Sequence, residues 1–313
     1  MLRFLAQRLA AIIPVLLVVA IVVFLILRLT PGDPAAVIAG QNATSDDIAR
    51  IREQLGLTLP IWQQFGIWLG NVLKGDFGYS FYLNKPVVEL ILQRVEPTIS
   101  LAIGTMFLAL VFAIPLGTLA AWKMGGWLDK GLMAFSVIGF SIPVFVVGYV
   151  LIYYFAVKLD WFPVQGYVRF GKGFGAWAYQ LVLPCITLST IYVSLIARVT
   201  RAAVSEALTE DHVRTARAKG LGEIAVLVKH GLRNAAVPIV TVIGIGVALL
   251  IGGVVVTETV YAIPGLGQLT VDAVLNRDFP VIQGVILFFS VAYVLVNLLV
   301  DVSYLFLDPR IRY

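Results

Sequence analysis

Six apolar stretches, each close to the roughly 20 residues a helix needs to cross a ~30 Å hydrocarbon layer, decide what this chain can become. They run over about Leu9–Leu29, Thr98–Ala121, Leu132–Val157, Leu181–Ala197, Ala235–Thr257 and Val281–Leu305. Lipid offers a backbone no hydrogen-bond partners, so each stretch must satisfy its own N–H and C=O groups, which a helix does within one segment. Of 313 residues, 60% are hydrophobic and 13% charged, whereas a soluble domain is about 45–50% apolar and about 25% charged. The expectation is an all-α integral membrane protein with about six transmembrane helices. The first stretch is expected to remain as a span, because a cleaved signal core is only about 7–15 residues long and no small-x-small cleavage pattern precedes Thr30-Pro31.

Cations set the orientation. Arg3 and Arg8, then Lys123 and Lys130, then the long loop after the fourth span, then Arg310 and Arg312 flank one side. Only Lys158, Arg169, Lys172 and Arg277 lie on the shorter loops opposite. The positive-inside rule therefore predicts cytosolic N- and C-termini. Positive charge placed beside spans is topological, so the net charge of +5 gives no reason to expect a nucleic-acid partner.

The chain divides into 1–29 (N-tail and first span), an external helical region 30–97, and a five-helix core 98–313. Within 30–97, Thr30-Pro31-Gly32-Asp33-Pro34 forces a turn, and Thr44 or Ser45 caps a short helix closed by Gly56. Pro60 can occupy the first position of another helix, whose Ile61, Phe65, Trp68, Leu69 and Val72 recur at helical spacing. With Trp62 nearby, that helix would lie on the bilayer surface or against the bundle. Gly75-Asp76-Phe77-Gly78 turns the chain, and Val87–Val95 forms a last helix before Pro97.

The segment 198–234 carries seven of the 23 Lys and Arg: Arg198, Arg201, Arg214, Arg217, Lys219, Lys229 and Arg233. Ala203–Lys219 contains no Gly or Pro and is rich in helix formers, and Gly220 marks a stop. A second helix resumes at about Glu223 and runs into the fifth span. A helix, a glycine break and a second helix between two spans make a shape that a cytosolic protein can grip. Charge alone would also suit anionic lipid head groups, but charge does not require Ala216, Gly220, Leu221 and Leu232 in register with it.

Elsewhere, Gly139, Ser141 and Pro143 in the third span, Gly244, Ala248 and Gly252 in the fifth, and Asn297 in the sixth are candidates for a translocation path or hinge. Ordinary close packing of helices explains the small residues equally well. Asp301 shares a face with Asn297 near the end of its span, where Arg310, Arg312 or a helix end could pair with it. The run Gly166–Gly173 imitates a phosphate loop, but Gly173 stands where a magnesium-binding Ser or Thr is required. The lone Cys185 excludes an intrachain disulfide and a cysteine metal site. Both histidines, His212 and His230, fall in the basic loop. No catalytic constellation is found, so no catalytic, cofactor or metal residue is assigned.

Arg214-Thr215-Ala216-Arg217-Ala218-Lys219-Gly220, nine residues, then His230-Gly231-Leu232-Arg233-Asn234 resembles the permease loop of binding-protein-dependent ABC importers. The general pattern is Glu-Ala-Ala, three residues, Gly, nine residues, Ile-x-Leu-Pro. Arg214, His230 and Arg233 replace its Glu, Ile and Pro, as is usual in the dipeptide/oligopeptide/nickel branch. Leu29–Pro34, Gly75–Ser80, Pro264–Gly267, Arg277–Pro280, Asn297–Asp301 and Asp308–Tyr313 are similar to that branch as well. The resemblance implies a type I importer permease bundle in a bacterial or archaeal cytoplasmic membrane, moving short peptides. Glutathione or nickel, free or chelated, are its alternatives within the family. It implies a second homologous permease, two cytosolic ABC ATPases that hold the ATP and magnesium, and an extracytoplasmic binding protein. ATPase contact would fall on Arg214–Leu221 and on His230, Leu232, Arg233 and Asn234, with Ala216 allowing close approach. An ion-coupled secondary carrier is the rival of another class, disfavoured because no chain of buried carboxylates or histidines crosses the spans.

Overall fold

The computed structural model describes residues 2–29, 35, 44–54, 56–80 and 82–307. The Thr30–Pro34 turn, Arg310, Arg312 and the motif Asp308–Tyr313 lie outside the described residues. The helices are α1 (Leu2–Leu29), α2 (Ser45–Gln54), α3 (Ile61–Leu73), α4 (Val87–Trp122) and α5 (Trp127–Ser141). After them come α6 (Val144–Leu151, continued as a π-helix over Ile152–Lys158), α7 (Phe174–Ala207) and α8 (Asp211–Ala218). The last are α9 (Glu223–Ala225, continued as a π-helix over Val226–Leu232), α10 (Ala236–Val260), α11 (Leu266–Leu275) and α12 (Phe279–Leu307). A two-residue hairpin, β1 (Tyr79–Ser80) against β2 (Lys85–Pro86), pairs antiparallel just before α4.

Among the described residues, Gln7–Ile26, Val87–Trp122, Phe174–Ala207, Ala236–Val260 and Phe279–Tyr304 are long and apolar enough to cross a membrane. The expected third span is broken. α5 and α6 meet at 101°, and they make a sixth span only if the bent pair is counted as one. Proline disfavours helical geometry in the residue before it. Ile142 accordingly turns extended (ψ 122°), and Pro143 becomes the N-cap of α6 (ψ 138°). The expected helix over Val87–Val95 does not stop at Pro97 either. It is continuous with the second span, which holds both Pro97 and Pro115 inside one helix. Pro60 stands one residue earlier than expected, as the N-cap of α3.

The chain forms two compact units, one of Glu96–Gln268 with Leu295–Tyr313, the other of Leu2–Val95 with Leu269–Val294. In the first, α7 is the central pole: Leu188, Ile196 and Ala197 are fully buried, and α4, α5, α6 and α10 supply the rest of the core. In the second, the motifs at 75–80 and 277–280 meet. Ser80 donates its hydroxyl to Asp278 Oδ2, Leu83 N–H donates to Ser80 Oγ at 2.9 Å, and Asp76 Oδ1 accepts from Gly78 N–H at 2.9 Å. Asp278 is buried and its Oδ1 has no hydrogen-bond partner, so its carboxylate leans on Ser80. Ser80→Ala is expected to destabilise this unit by about 1–3 kcal/mol, the range for orphaning a buried polar partner. A lowered thermal midpoint of the solubilised protein would register it.

Candidate functional site

The basic loop is built by local rules. Instead of the expected unbroken helix over Ala203–Lys219, the chain turns at Leu208–Glu210. Neither Gly nor Pro signals the break. Thr209 Oγ1 folds back to Glu206 C=O (2.7 Å), and Glu210 goes extended as the N-cap of α8. Asp211 in the first turn and Arg217 in the last complement the helix dipole. α8 closes in a Schellman motif: Gly220 N–H bonds Arg217 C=O (2.9 Å) and Leu221 N–H bonds Ala216 C=O (3.3 Å). Gly220 has φ +78°, a conformation L side chains resist.

α8 is then tied to α9 and to the root of α10. Arg217 donates to both carboxylate oxygens of Glu223, at 3.0 and 3.3 Å. Val213, Ala216 and Val226 form a buried cluster, with Leu208 and Leu221 against it. His212 meets Glu210 through Nδ1 (3.0 Å) and Asn234 through Nε2 (2.6 Å), and its ring stands 6.0 Å from that of His230. Ala216, expected to allow close approach of a partner, is buried in this arrangement. Its methyl is turned into this chain's own cluster, because α8 needs one apolar face to hold against α9. Of the other expected contact residues, Leu232 packs against the small core of Val204, Leu227 and Ala235, and His230 and Asn234 face His212. Arg214, Thr215, Arg217, Ala218, Lys219, Gly220, Arg233 and Asn234 remain exposed, and Leu221 is half-buried. Ile224 of α9 and Val228 of its continuation are exposed apolar side chains.

The path and hinge candidates meet different neighbours. A β-carbon on Gly139 would lie 2.2 Å from Ser194 Oγ, so this glycine exists to let α5 touch α7. Ser141 Oγ bonds back to Val137 C=O (2.8 Å) one residue from the Ile142–Pro143 bend. Gly244 faces Val300, 2.7 Å from where its β-carbon would be, whereas Gly252 has open space. Ala248 and Asn297 are half-buried, as is Asp301. The imitation phosphate loop is packed as structure: Gly166 N–H bonds Tyr261 C=O (2.9 Å) and Phe170 N–H bonds Glu96 (2.8 Å).

Two buried carboxylates escaped the sequence reading. Asp129 receives Arg201 Nε and Nη2 at 2.7 and 2.8 Å and Gly125 N–H at 2.9 Å, tying the start of α5 to α7. Glu258, fully buried at the end of α10, receives Thr98 Oγ1 at 2.6 Å and Gln268 N–H at 3.0 Å. Thr98 Oγ1 in turn accepts from Leu266 N–H at 2.8 Å, so Pro264-Gly265-Leu266-Gly267 is wrapped around the Glu258 carboxylate. An acid inside or at the edge of an apolar run was the available signal in both cases.

Comparison with known proteins gives the following. Residues 113–313 match the family described as binding-protein-dependent transport system inner membrane component, and residues 1–102 match its N-terminal counterpart. A probable peptide ABC transporter permease protein, y4tP of Sinorhizobium fredii, is 53% identical over 310 residues, covering 99% of each chain. The glutathione transport system permease protein GsiC of Escherichia coli is 43% identical over 313 residues, covering all of both. Among solved structures, the inward-facing MetNI methionine ABC transporter aligns with a TM-score of 0.59 at 20% identity, over 70% of this chain and 96% of that one. That likeness is one of fold.

Proposed function

The chain belongs to the family of binding-protein-dependent transport system inner membrane components, and we propose that it serves as the permease subunit of an ATP-driven importer of short peptides. Its seat would be the cytoplasmic membrane, with both termini and the α8–α9 loop in the cytosol. A second homologous permease, two cytosolic ATPases carrying ATP and magnesium, and an extracytoplasmic binding protein would complete it. The names of the relatives support the cargo: peptide at 53% identity and glutathione, itself a tripeptide, at 43%. Glutathione is therefore the second reading.

The observation that carries the mechanism is the joint between α8 and α10. Arg217–Glu223, the Val213–Ala216–Val226 cluster and His212–Asn234 fasten α8 to the segment that runs into α10. α10 has 25 residues, a rod of about 37 Å at 1.5 Å per residue. A push delivered to the exposed Arg214, Thr215, Ala218 and Lys219 face would arrive at the far end of α10, where Glu258 holds the Pro264–Gly267 loop.

The test uses the complete importer in proteoliposomes. Arg214→Glu with Lys219→Glu is expected to bring peptide uptake and substrate-stimulated ATP hydrolysis down to the background of vesicles lacking the importer, with the permease still inserted. Normal uptake by that variant would overturn the coupling role. Uptake that persists without the ATPases and stops when an ionophore collapses the ion gradient would overturn the importer. Titrating the binding protein with dipeptides, longer peptides and glutathione identifies the cargo.

A further inference from the structure

We propose that α3 is an interfacial helix, seated in the lipid boundary at the Ile26 end of the first span. The proposal does not depend on the coupling role of α8. Three observations within the unit containing α1 and α3 carry it.

The first is depth. Phe24 lies inside the apolar span Gln7–Ile26, two residues from its end, which is about 3 Å at 1.5 Å per residue. Its ring meets Phe65 at 5.2 Å and Trp68 at 5.6 Å, both on α3. Arg28, two residues beyond the span, lies over the Phe24 ring at 3.5 Å and gives Nε and Nη2 to Gln64 Oε1 at 3.1 and 2.6 Å. Gln64 Nε2 then bonds Leu59 C=O at 2.7 Å, fixing the entry to α3. These contacts hold α3 at the level where hydrocarbon gives way to head groups.

The second is the division of its surface. α3 reads Ile-Trp-Gln-Gln-Phe-Gly-Ile-Trp-Leu-Gly-Asn-Val-Leu and contains no charged residue. At 100° per residue, Trp62, Gly66, Leu69 and Leu73 fall within about 60° of one another, and Gln63, Ile67 and Asn71 on another side. The side toward α1 carries Phe65 and Trp68. Trp62 is 71% exposed and Leu73 79% exposed, so at these two positions the apolar stripe has no cover from the described residues. One face on the span, one apolar and open, and one with amides for water is the division that a helix lying at a membrane boundary needs. Tryptophan, with an apolar body and a polar N–H, is the side chain enriched at that depth.

The third is continuity. On α1, Ile13 and Leu17, within about 20° of Phe24 around the helix at 100° per residue, are likewise exposed, and a surface of that kind on a spanning helix is lipid-facing. α3 meets α1 at Phe24, on that side and nearer the end of the span, so lipid is the occupant that covers both without a further partner.

Single-cysteine spin labels on the full importer in lipid nanodiscs test this. Cys185, the sole native cysteine, is buried and is removed as Cys185→Ala. Labels at Trp62→Cys, Gly66→Cys and Leu73→Cys are expected to collide more with oxygen than with a water-soluble nickel chelate. At Gln63→Cys and Asn71→Cys that preference is expected to reverse. Gly66 has nothing within 4 Å of the position its β-carbon would take, so its label does not depend on repacking. Chelate access at 62, 66 and 73 equal to that at 63 and 71 would overturn the proposal. Shielding of 62, 66 and 73 from both reagents would overturn it too, because it means that protein covers the stripe. Repeating the measurement with and without the binding protein then says which component does so.

Discussion

Asp129→Ala is expected to cost about 3–5 kcal/mol, the range for removing one partner of a buried ion pair. The side chain of Asp129 is 6% exposed and that of Arg201 23%, and the two meet through both guanidinium nitrogens and both carboxylate oxygens. The variant leaves a cation with no counter-charge and strips Gly125 N–H of its acceptor. Asp129→Leu combined with Arg201→Leu removes both charges and should return most of the loss, because the pair's attraction is offset by the cost of drying it. Thermal midpoints of the solubilised importer for the two singles and the double check this. A double variant as unstable as the singles would mean that the charge pair itself, and not its imbalance, holds α5 to α7.

The second large effect is expected at Gly265 and Gly267. A β-carbon on Gly265 would lie 2.0 Å from Glu258 Oε1 and 2.2 Å from its Cδ, and one on Gly267 would lie 2.6 Å from Val255 Cα. Gly265→Ala must push the carboxylate off Thr98 and Gln268, and Gly267→Ala must move backbone against backbone. Both belong at or above the top of the roughly 1–3 kcal/mol range for overpacking. Adding Glu258→Ala to Gly265→Ala removes the atoms that clash and should restore part of the folded fraction, whereas the same addition to Gly267→Ala should not, since Val255 backbone remains. Size-exclusion profiles of the four variants after a graded heat step give the comparison. Equal rescue at both positions would show that the two glycines share one crowding and not two.

Spans and the basic loop were legible because both are written in composition: apolar runs of membrane length, and a cluster of cations interrupted at Gly220. Contacts were not, because they depend on which neighbour arrives. Pro143 reads in sequence as a kink within one span, and only the fold makes Ile142–Pro143 a corner. Ala216 and Gly220 sit in one motif, yet α8 turns the first inward and leaves the second exposed. The turn at Leu208–Glu210 rests on short-range bonds of Thr209 and Glu210 that no helix breaker announces. Gly244 and Gly252 look equivalent by spacing, but Gly244 is crowded by Val300 and Gly252 has open space. Glu258 could be flagged as an acid at the edge of an apolar run, but the loop that encloses it is brought there by Thr98, 160 residues away.

A rod transmits displacement along its length, while an elbow turns it into a change of angle. α10 has no proline after its first turn, and α5 and α6 meet at a corner of 101°. The arm before that corner is moored to α7 through Asp129 and Arg201. The arm after it is held as well: Gly148 lies against Thr187 of α7 and its C=O accepts from Tyr261 O–H at 3.4 Å, so the corner lets one stretch of chain grip α7 from two directions where a straight span would grip it from one.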